Sequence, residues 1–406
     1  LTTTTHPGDA LSRRQKLIYV LVLGLLTALG PFTIDLYLPA FPVIGEELGV
    51  SATAVQLTLT ATTIGFAAGQ LVVGPFSDKF GRRMPLILAT ALHVGASVGA
   101  ALSTDITMLG VFRVLQGIGA AGGGVVAMAM VRDLFGGYQL VRMLSRMALV
   151  NGMAPILAPV IGSQLLGIMD WPGIFWFLAA YGALVVVATF MFIVETLPPA
   201  KRKSDGVSVA QRYKAVFSDR IFVGTLFVGG FNFAALFTYL SASTFLFQNT
   251  YGFTPQQYGY LFAVNSLGVV AGVQIASRIM RHTGPQWVIA GATAAQVLAA
   301  AAMVVCDQLG LGLWGVMVPL WFFICATGFM FPSVQVMGLA RNGSQAGTAA
   351  SLLGATTFGF AGIITPVVGF IGVTTATPMA LIMGSCILLA MAALWLIVRP
   401  RTVPAI

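Results

Sequence analysis

Charge is absent from long stretches of this chain and crowds into the short breaks between them. Leu17 to Gly30, Ala180 to Val194 and Ala380 to Val398 are nearly free of charged residues. About 20 such residues, coiled as a helix, cross the roughly 30 Å of hydrocarbon in a bilayer. The pattern predicts twelve membrane helices, at 17–44, 51–75, 84–104, 107–131, 142–169, 172–195, 221–248, 255–277, 286–306, 312–337, 344–371 and 378–398. An even number of crossings returns both termini to the same side.

The basic residues fix which side that is. With the N-terminus in the cytoplasm, Arg13, Arg14, Lys16, Lys79, Arg82, Arg83 and Arg132 all fall in cytoplasmic breaks, and Arg142 and Arg146 at the cytoplasmic end of the fifth span. Lys201, Arg202, Lys203, Arg212, Lys214, Arg220, Arg278, Arg281, Arg341, Arg399 and Arg401 lie in cytoplasmic breaks too, so every Lys and Arg is cytoplasmic except Arg113. The opposite loops carry Glu46, Glu47, Asp105, Asp170 and Asp307 and no basic residue, the positive-inside distribution. An odd helix count would destroy this sorting. The expected location is therefore the inner or plasma membrane of the cell, with both termini cytoplasmic.

Composition agrees: 57% of residues are hydrophobic and 8% charged, against about 25% charged in soluble domains, and mean hydropathy is +0.91. The net charge of +9 alone would admit a nucleic-acid partner, but cations sorted into alternate breaks are a topology signal instead. Residues 1–12 are polar, and the apolar stretch after them is too long for a signal-peptide core, so it reads as the first helix. Cys306, Cys325 and Cys386 sit in or beside apolar spans without metal-ligand spacing, and read as small hydrophobes.

The longest polar stretch follows the sixth span. It divides the chain into a tail at 1–16, a six-helix half at 17–195, a cytoplasmic linker at 196–220, a second six-helix half at 221–398 and a tail at 399–406. Within the linker, Val207 to Phe217 can form an interfacial amphipathic helix. The halves share a short string: Ile156-Leu-Ala-Pro-Val-Ile-Gly162 in span five and Ile363-Ile-Thr-Pro-Val-Val-Gly369 in span eleven. Chance similarity of apolar strings is the alternative; the matched Pro and Gly favour a parallel repeat, the architecture in which one half rocks against the other.

Four segments carry the chemistry. Gly74-Pro-Phe-Ser-Asp78-Lys-Phe-Gly81-Arg82-Arg83 joins spans two and three and resembles the signature loop of the major facilitator superfamily. Leu109 to Ala121, with Arg113, looks like the superfamily's fourth-helix motif. Gly152-Met-Ala-Pro155-Ile-Leu-Ala-Pro159-Val-Ile-Gly162 is similar to the antiporter motif of drug exporters, with Ala158 where a Gly is customary. Phe32-Thr-Ile-Asp35-Leu-Tyr37-Leu-Pro39-Ala-Phe-Pro42 resembles the bicyclomycin/chloramphenicol-resistance (Bcr/CflA) branch of the drug:proton antiporters. The resemblance covers essentially the whole chain. It implies an all-α membrane protein with the major facilitator fold, twelve transmembrane helices in two pseudo-symmetric halves, acting as a monomer. The implied function is exchange of protons for small amphiphilic drugs.

The same resemblance implies that the loop Gly74, Asp78, Gly81, Arg82 and Arg83 latches the halves, with Asp78 near Gly343 at the start of span eleven and a basic residue engaging Asp133. In the second half the corresponding loop, Ser277 to Gly284, keeps cations but lacks the acid. Asp35 and Arg113 are the charges placed well inside spans, at depths of roughly 13 and 9 Å from the outer ends. A lone ionised group there costs at least about 2.5 kcal/mol, so a pair is expected. Asp35 is the expected proton carrier, since desolvation opposes its charge while Arg113 supports it; a static pair that only fixes helix geometry is the alternative.

For the cargo cavity the inward faces supply Tyr37, Met147, Asn151, Asn232, Leu236, Phe237, Leu240 and Asn265, mostly apolar with a few polar groups. For the apolar members, packing against lipid or another helix is an equal reading. His93 reads as a hydrogen-bonded structural histidine, with a proton relay as the alternative, and Glu195 as a solvated acid. No GxxxxGK[ST] loop, HExxH or ligand cluster occurs, so no enzyme activity, ATP drive, cofactor or metal is expected. Partners are the cargo, protons and membrane lipid, without nucleic acid. A proton-coupled carrier of a metabolite such as an amino acid, peptide or sugar-like solute is the alternative function on the same fold.

Overall fold

The structure, a computed structural model, describes residues 7–199, 214, 216–340 and 346–403. The expected interfacial helix at Val207 to Phe217 falls largely outside the described residues, as does Gly343. In order along the chain come α1 (Arg13–Asp35), α2 (Phe41–Glu47), α3 (Ala52–Phe80), α4 (Arg83–Ala101), α5 (Ile106–Leu134), α6 (Gly137–Leu165) and α7 (Pro172–Phe192). They are followed by α8 (Arg220–Phe245), α9 (Pro255–Thr283), α10 (Pro285–Gln308), α11 (Gly312–Leu339), α12 (Ala346–Ile371) and α13 (Ala376–Ala392).

Among the described residues, 11 helices are long and apolar enough to cross a membrane. α6 is the twelfth: it has 29 residues, with an apolar stretch at Gly152–Leu165 among the described residues. The all-α reading with twelve crossings is thus borne out. Its first span differs in detail. Pro39 and Pro42 interrupt the ladder, so α1 ends at Asp35 and the chain continues through a single 3-10 turn, Leu38–Ala40, into the short α2. Large apolar side chains lie uncovered on the outside, Phe370 at 84% and Leu298 at 71% exposure, as a lipid-solvated surface requires.

Two compact units emerge. The first comprises residues 1–37 and 64–206, the second residues 38–63 and 207–406. The division expected from the linker differs in one segment, 38–63, which packs with the second unit. There Thr244 Oγ1 donates to the Leu38 carbonyl at 2.9 Å and Gln248 Nε2 to the Pro39 carbonyl at 3.1 Å. Thr53 Oγ1 donates to the Gly369 carbonyl and Gln56 Nε2 to that of Ser241, each at 2.8 Å.

In the first unit α4 lies along α5 and α7, and α1 along α5 and α6. Leu23, Leu26, Val126, Met130 and Met147 share its apolar core. In the second unit α11 lies along α9 and α10, and α8 along α12 and α13. Asp307, at the end of α10, accepts both the N–H of Thr377 at 2.8 Å and its hydroxyl at 2.5 Å. One helix thus caps the start of another, α13.

Candidate functional site

In the first unit a buried polar cluster forms around Arg113. Asp105 caps α5 by accepting from the N–H groups of Thr107 and Met108, and Arg113 follows two turns later, wholly buried. Its Nη2 donates to the Thr33 carbonyl at 2.9 Å and its Nη1 to Gln116 Oε1. The guanidinium carbon lies 3.9 Å from the centroid of the Tyr37 ring, cation–π distance. Gln116 Nε2 in turn donates to Ser97 Oγ, and Ser97 Oγ to the His93 carbonyl, each at 2.7 Å.

Thr33 Oγ1 spends its hydrogen on the Leu29 carbonyl at 2.6 Å. At its 2.9 Å contact with His93 Nε2 it can therefore only accept, so His93 carries its proton on Nε2. His93 thus makes the hydrogen bond of a structural histidine.

The expected ion pair between Asp35 and Arg113 is not formed. Asp35 is buried, 6% exposed, and among the described residues no cation lies within ion-pair distance of it. Arg113 instead meets the Thr33 carbonyl near the end of α1 and the Tyr37 ring in the turn just beyond that helix, on either side of Asp35 in the chain. Its guanidinium thus meets a carbonyl, an amide oxygen and a ring face in place of a carboxylate, and its Nε is buried without a partner.

The antiporter-like segment lies beside this acid. A Cβ on Gly162 would run into the Leu36 carbonyl, so the missing side chain is what lets α6 touch α1 next to Asp35. Pro155 and Pro159 sit inside α6, Ala158 is fully buried, and Gly152 faces open space.

A second cluster holds the α3–α4 loop. Gly81, at φ +97°, takes the left-handed conformation that glycine tolerates and turns the chain after α3. Arg82 then donates from Nη1 to Asp78 at 2.5 Å and to Ser77 Oγ at 2.8 Å, and from Nε to Asp133 at 3.0 Å. Ser77 Oγ donates to the Gly74 carbonyl at 2.8 Å. Burial works against the Arg82 charge, but Asp133 and then Asp78 outweigh it and hold its pKa above the ordinary arginine value.

Glu195 is not simply solvated. Its two oxygens accept the N–H groups of Arg82 at 2.8 Å and Arg83 at 3.2 Å, and Oε1 also accepts that of Leu197 at 2.9 Å. Arg83 donates from Nη2 to the Phe190 carbonyl at 2.6 Å.

The second unit holds the remaining cavity candidates. Asn232 Oδ1 accepts from Gln296 Nε2 at 3.0 Å, which also donates to Thr327 Oγ1 at 3.0 Å. Asn265 Nδ2 donates to the Tyr239 hydroxyl at 3.0 Å. Phe237 packs against Phe233 and Phe358, Leu240 is buried and Leu236 half-buried. In the first unit Tyr37 is covered by Arg113, and Met147 is spent on the core. The Asn151 side chain lies outside the described residues.

The sequence from 23 to 366 matches the model of the Major Facilitator Superfamily. The chain belongs to that superfamily. Among its relatives are the MFS-type transporter YdgK of Bacillus subtilis, 35% identical over 91% of this chain and 92% of that one, and a bicyclomycin resistance protein homolog of Haemophilus influenzae, 32% identical over 94% and 96%. The multidrug resistance protein MdtL of Vibrio parahaemolyticus is 27% identical over 90% and 92%. In fold it resembles the xylose transporter XylE of E. coli, with TM-score 0.76, 12% identity and coverage of 96% and 98%. The chain is thus a transporter and not an enzyme.

Gln116 and Gln296 are among the cluster residues that the sequence reading did not single out, and Glu195 was read there only as a solvated acid. Gln116 could have been found, because it lies three residues after Arg113 on one helix face. Glu195 and Gln296 meet partners remote in sequence, and no local pattern announces them.

Proposed function

We propose that the protein is a secondary active exporter that exchanges protons for small amphiphilic molecules of the phenicol or bicyclomycin type, working by alternating access in a bacterial inner membrane with both termini in the cytoplasm. The observation that carries this reading is Asp35, a carboxyl buried in a membrane-spanning segment with no cation against it among the described residues. An unpaired acid at that depth is costly while charged, and taking up a proton removes the cost. The names of the relatives in Haemophilus and Vibrio support drug-like cargo.

In this scheme Asp35 carries the proton, and Arg113 acts on it through the backbone of α1. It grips Thr33 and Tyr37 on either side of the acid, and Gly162 presses on the next residue, Leu36. Protonation that shifts α1 is felt by both contacts. The loop around Arg82, with Gly74, Asp78, Gly81, Arg83 and Asp133, serves as the latch.

The test is transport in proteoliposomes with an imposed pH gradient. The wild type should accumulate chloramphenicol or bicyclomycin against its gradient and dissipate the proton gradient. Asp35→Asn should fold, bind cargo and lose uphill transport. An Asp35→Asn protein that still pumps uphill refutes the coupling scheme, and proton-coupled uptake of a single nutrient without drug transport refutes the exporter reading.

A further inference from the structure

Midway through the second unit, three buried polar side chains form a line whose polarity is fixed from one end to the other. Thr327 on α11, Gln296 on α10 and Asn232 on α8 are 0%, 0% and 2% exposed. Each lies near the middle of its helix, of 28, 24 and 26 residues. Thr327 Oγ1 gives its hydrogen to the Phe323 carbonyl at 3.1 Å, so toward Gln296 it can only accept. The Gln296 atom facing it must be Nε2, and that same nitrogen, 3.0 Å from each partner, gives its other hydrogen to Asn232 Oδ1.

Asn232 is therefore locked. A flipped amide would set its NH2 against the Gln296 donor. Its Nδ2, with two hydrogens, is directed away from Gln296 and has no acceptor among the described residues. Orientation comes at a cost, since Gln296 Oε1 is buried without a partner, and a buried group left so is destabilising. Next in the chain, Phe233 lies 4.9 Å from Phe237, 5.2 Å from Phe358 and 6.3 Å from Phe331, ring to ring. Phe233, Phe331 and Phe358 keep part of their surface uncovered.

We propose that Gln296 is a positioning residue that aims the Asn232 amide hydrogens at a hydrogen-bond acceptor on the cargo, while the Phe233, Phe331 and Phe358 rings take its apolar or aromatic part. The inference rests on the exporter reading and narrows it. The cargo class is a neutral molecule that joins a flat or apolar body to a carbonyl or nitro oxygen. A site with a committed donor rejects analogues lacking the acceptor, because the donor is then left buried and unpaired.

Equilibrium binding of chloramphenicol to the protein in nanodiscs tests this. Asn232→Leu should weaken binding about tenfold, the worth of one hydrogen bond. Gln296→Leu should weaken it severalfold with Asn232 untouched, and the double variant should bind no worse than Asn232→Leu alone, because Gln296 acts through Asn232. Losses that add, or wild-type binding by Gln296→Leu, overturn the proposal. The double variant also removes both partners of the hydrogen bond at once, so it leaves no stranded donor to prevent folding.

A second measurement needs no cargo. The 15N-labelled side-chain amide of Asn232 should hold one orientation in the wild type and exchange between two in Gln296→Leu. A wild-type amide that already exchanges overturns the proposal. Failure of the wild type to bind chloramphenicol counts against the exporter reading, and the amide measurement then decides the role of Gln296 separately.

Discussion

Glu195, just beyond the end of α7, accepts the backbone N–H of Arg82 at 2.8 Å. A carboxylate here meets the unsatisfied donors and the positive pole at the start of α4. It also fixes the peptide from which the Arg82 guanidinium reaches Asp78 and Asp133. Glu195→Ala should cost about 1–2 kcal/mol, the usual price of a lost N-cap, and Glu195→Gln less, since an amide oxygen still accepts. Thermal unfolding of the purified protein checks the order; an alanine variant as stable as the wild type would remove Glu195 from the cluster.

Arg82→Lys tests whether the fork matters or only the charge. One ammonium cannot reproduce the planar donors that serve Asp78, Ser77 and Asp133 together. The lysine variant should recover little of what Arg82→Ala loses, on the order of 2 kcal/mol of stability after allowing for the partly exposed acids. Drug efflux from cells and unfolding temperature are read side by side, and a lysine variant with full efflux and stability contradicts the bidentate role.

Gly162→Ala and Gly152→Ala form a matched pair on α6. The first places a methyl on the Leu36 carbonyl, and the second points into open space. Position 162 should show the overpacking penalty of roughly 1–3 kcal/mol and impaired transport. Position 152 should be neutral or slightly stabilised, because alanine suits a helix better than glycine. Equal behaviour of the two variants in unfolding and efflux assays would show that α1 and α6 do not meet at this point.

Asp307→Ala removes the carboxylate that caps α13 through Thr377. The expected loss is about 1 kcal/mol, with transport per folded molecule unchanged. A variant that folds normally yet transports at a much lower rate would give Asp307 a functional role that its contacts do not suggest.

The twelve crossings were legible because lipid imposes one strong rule on composition, and a break such as Lys79 to Arg83 can only lie at the membrane surface. Arg113 stood out for the same reason. Its partner did not. A depth estimate places Asp35 and Arg113 at comparable levels, but depth gives no direction, and Arg113 meets the Thr33 carbonyl and the Tyr37 ring beyond the helix end instead. Glu195 was misread because its donors are backbone N–H groups, which every residue possesses and no motif marks. Asn232 was singled out as an amide too polar for lipid, and what fixes its direction lies 64 residues away on α10.

The packing of residues 38–63 with the second unit means that the polypeptide passes between units after 37, after 63 and after 206. The polar linker is only the last of these passages. A protease that cuts there leaves an N-terminal fragment still stitched to the other piece through Leu38, Pro39, Thr53 and Gln56, so the nicked molecule should travel through purification as one particle.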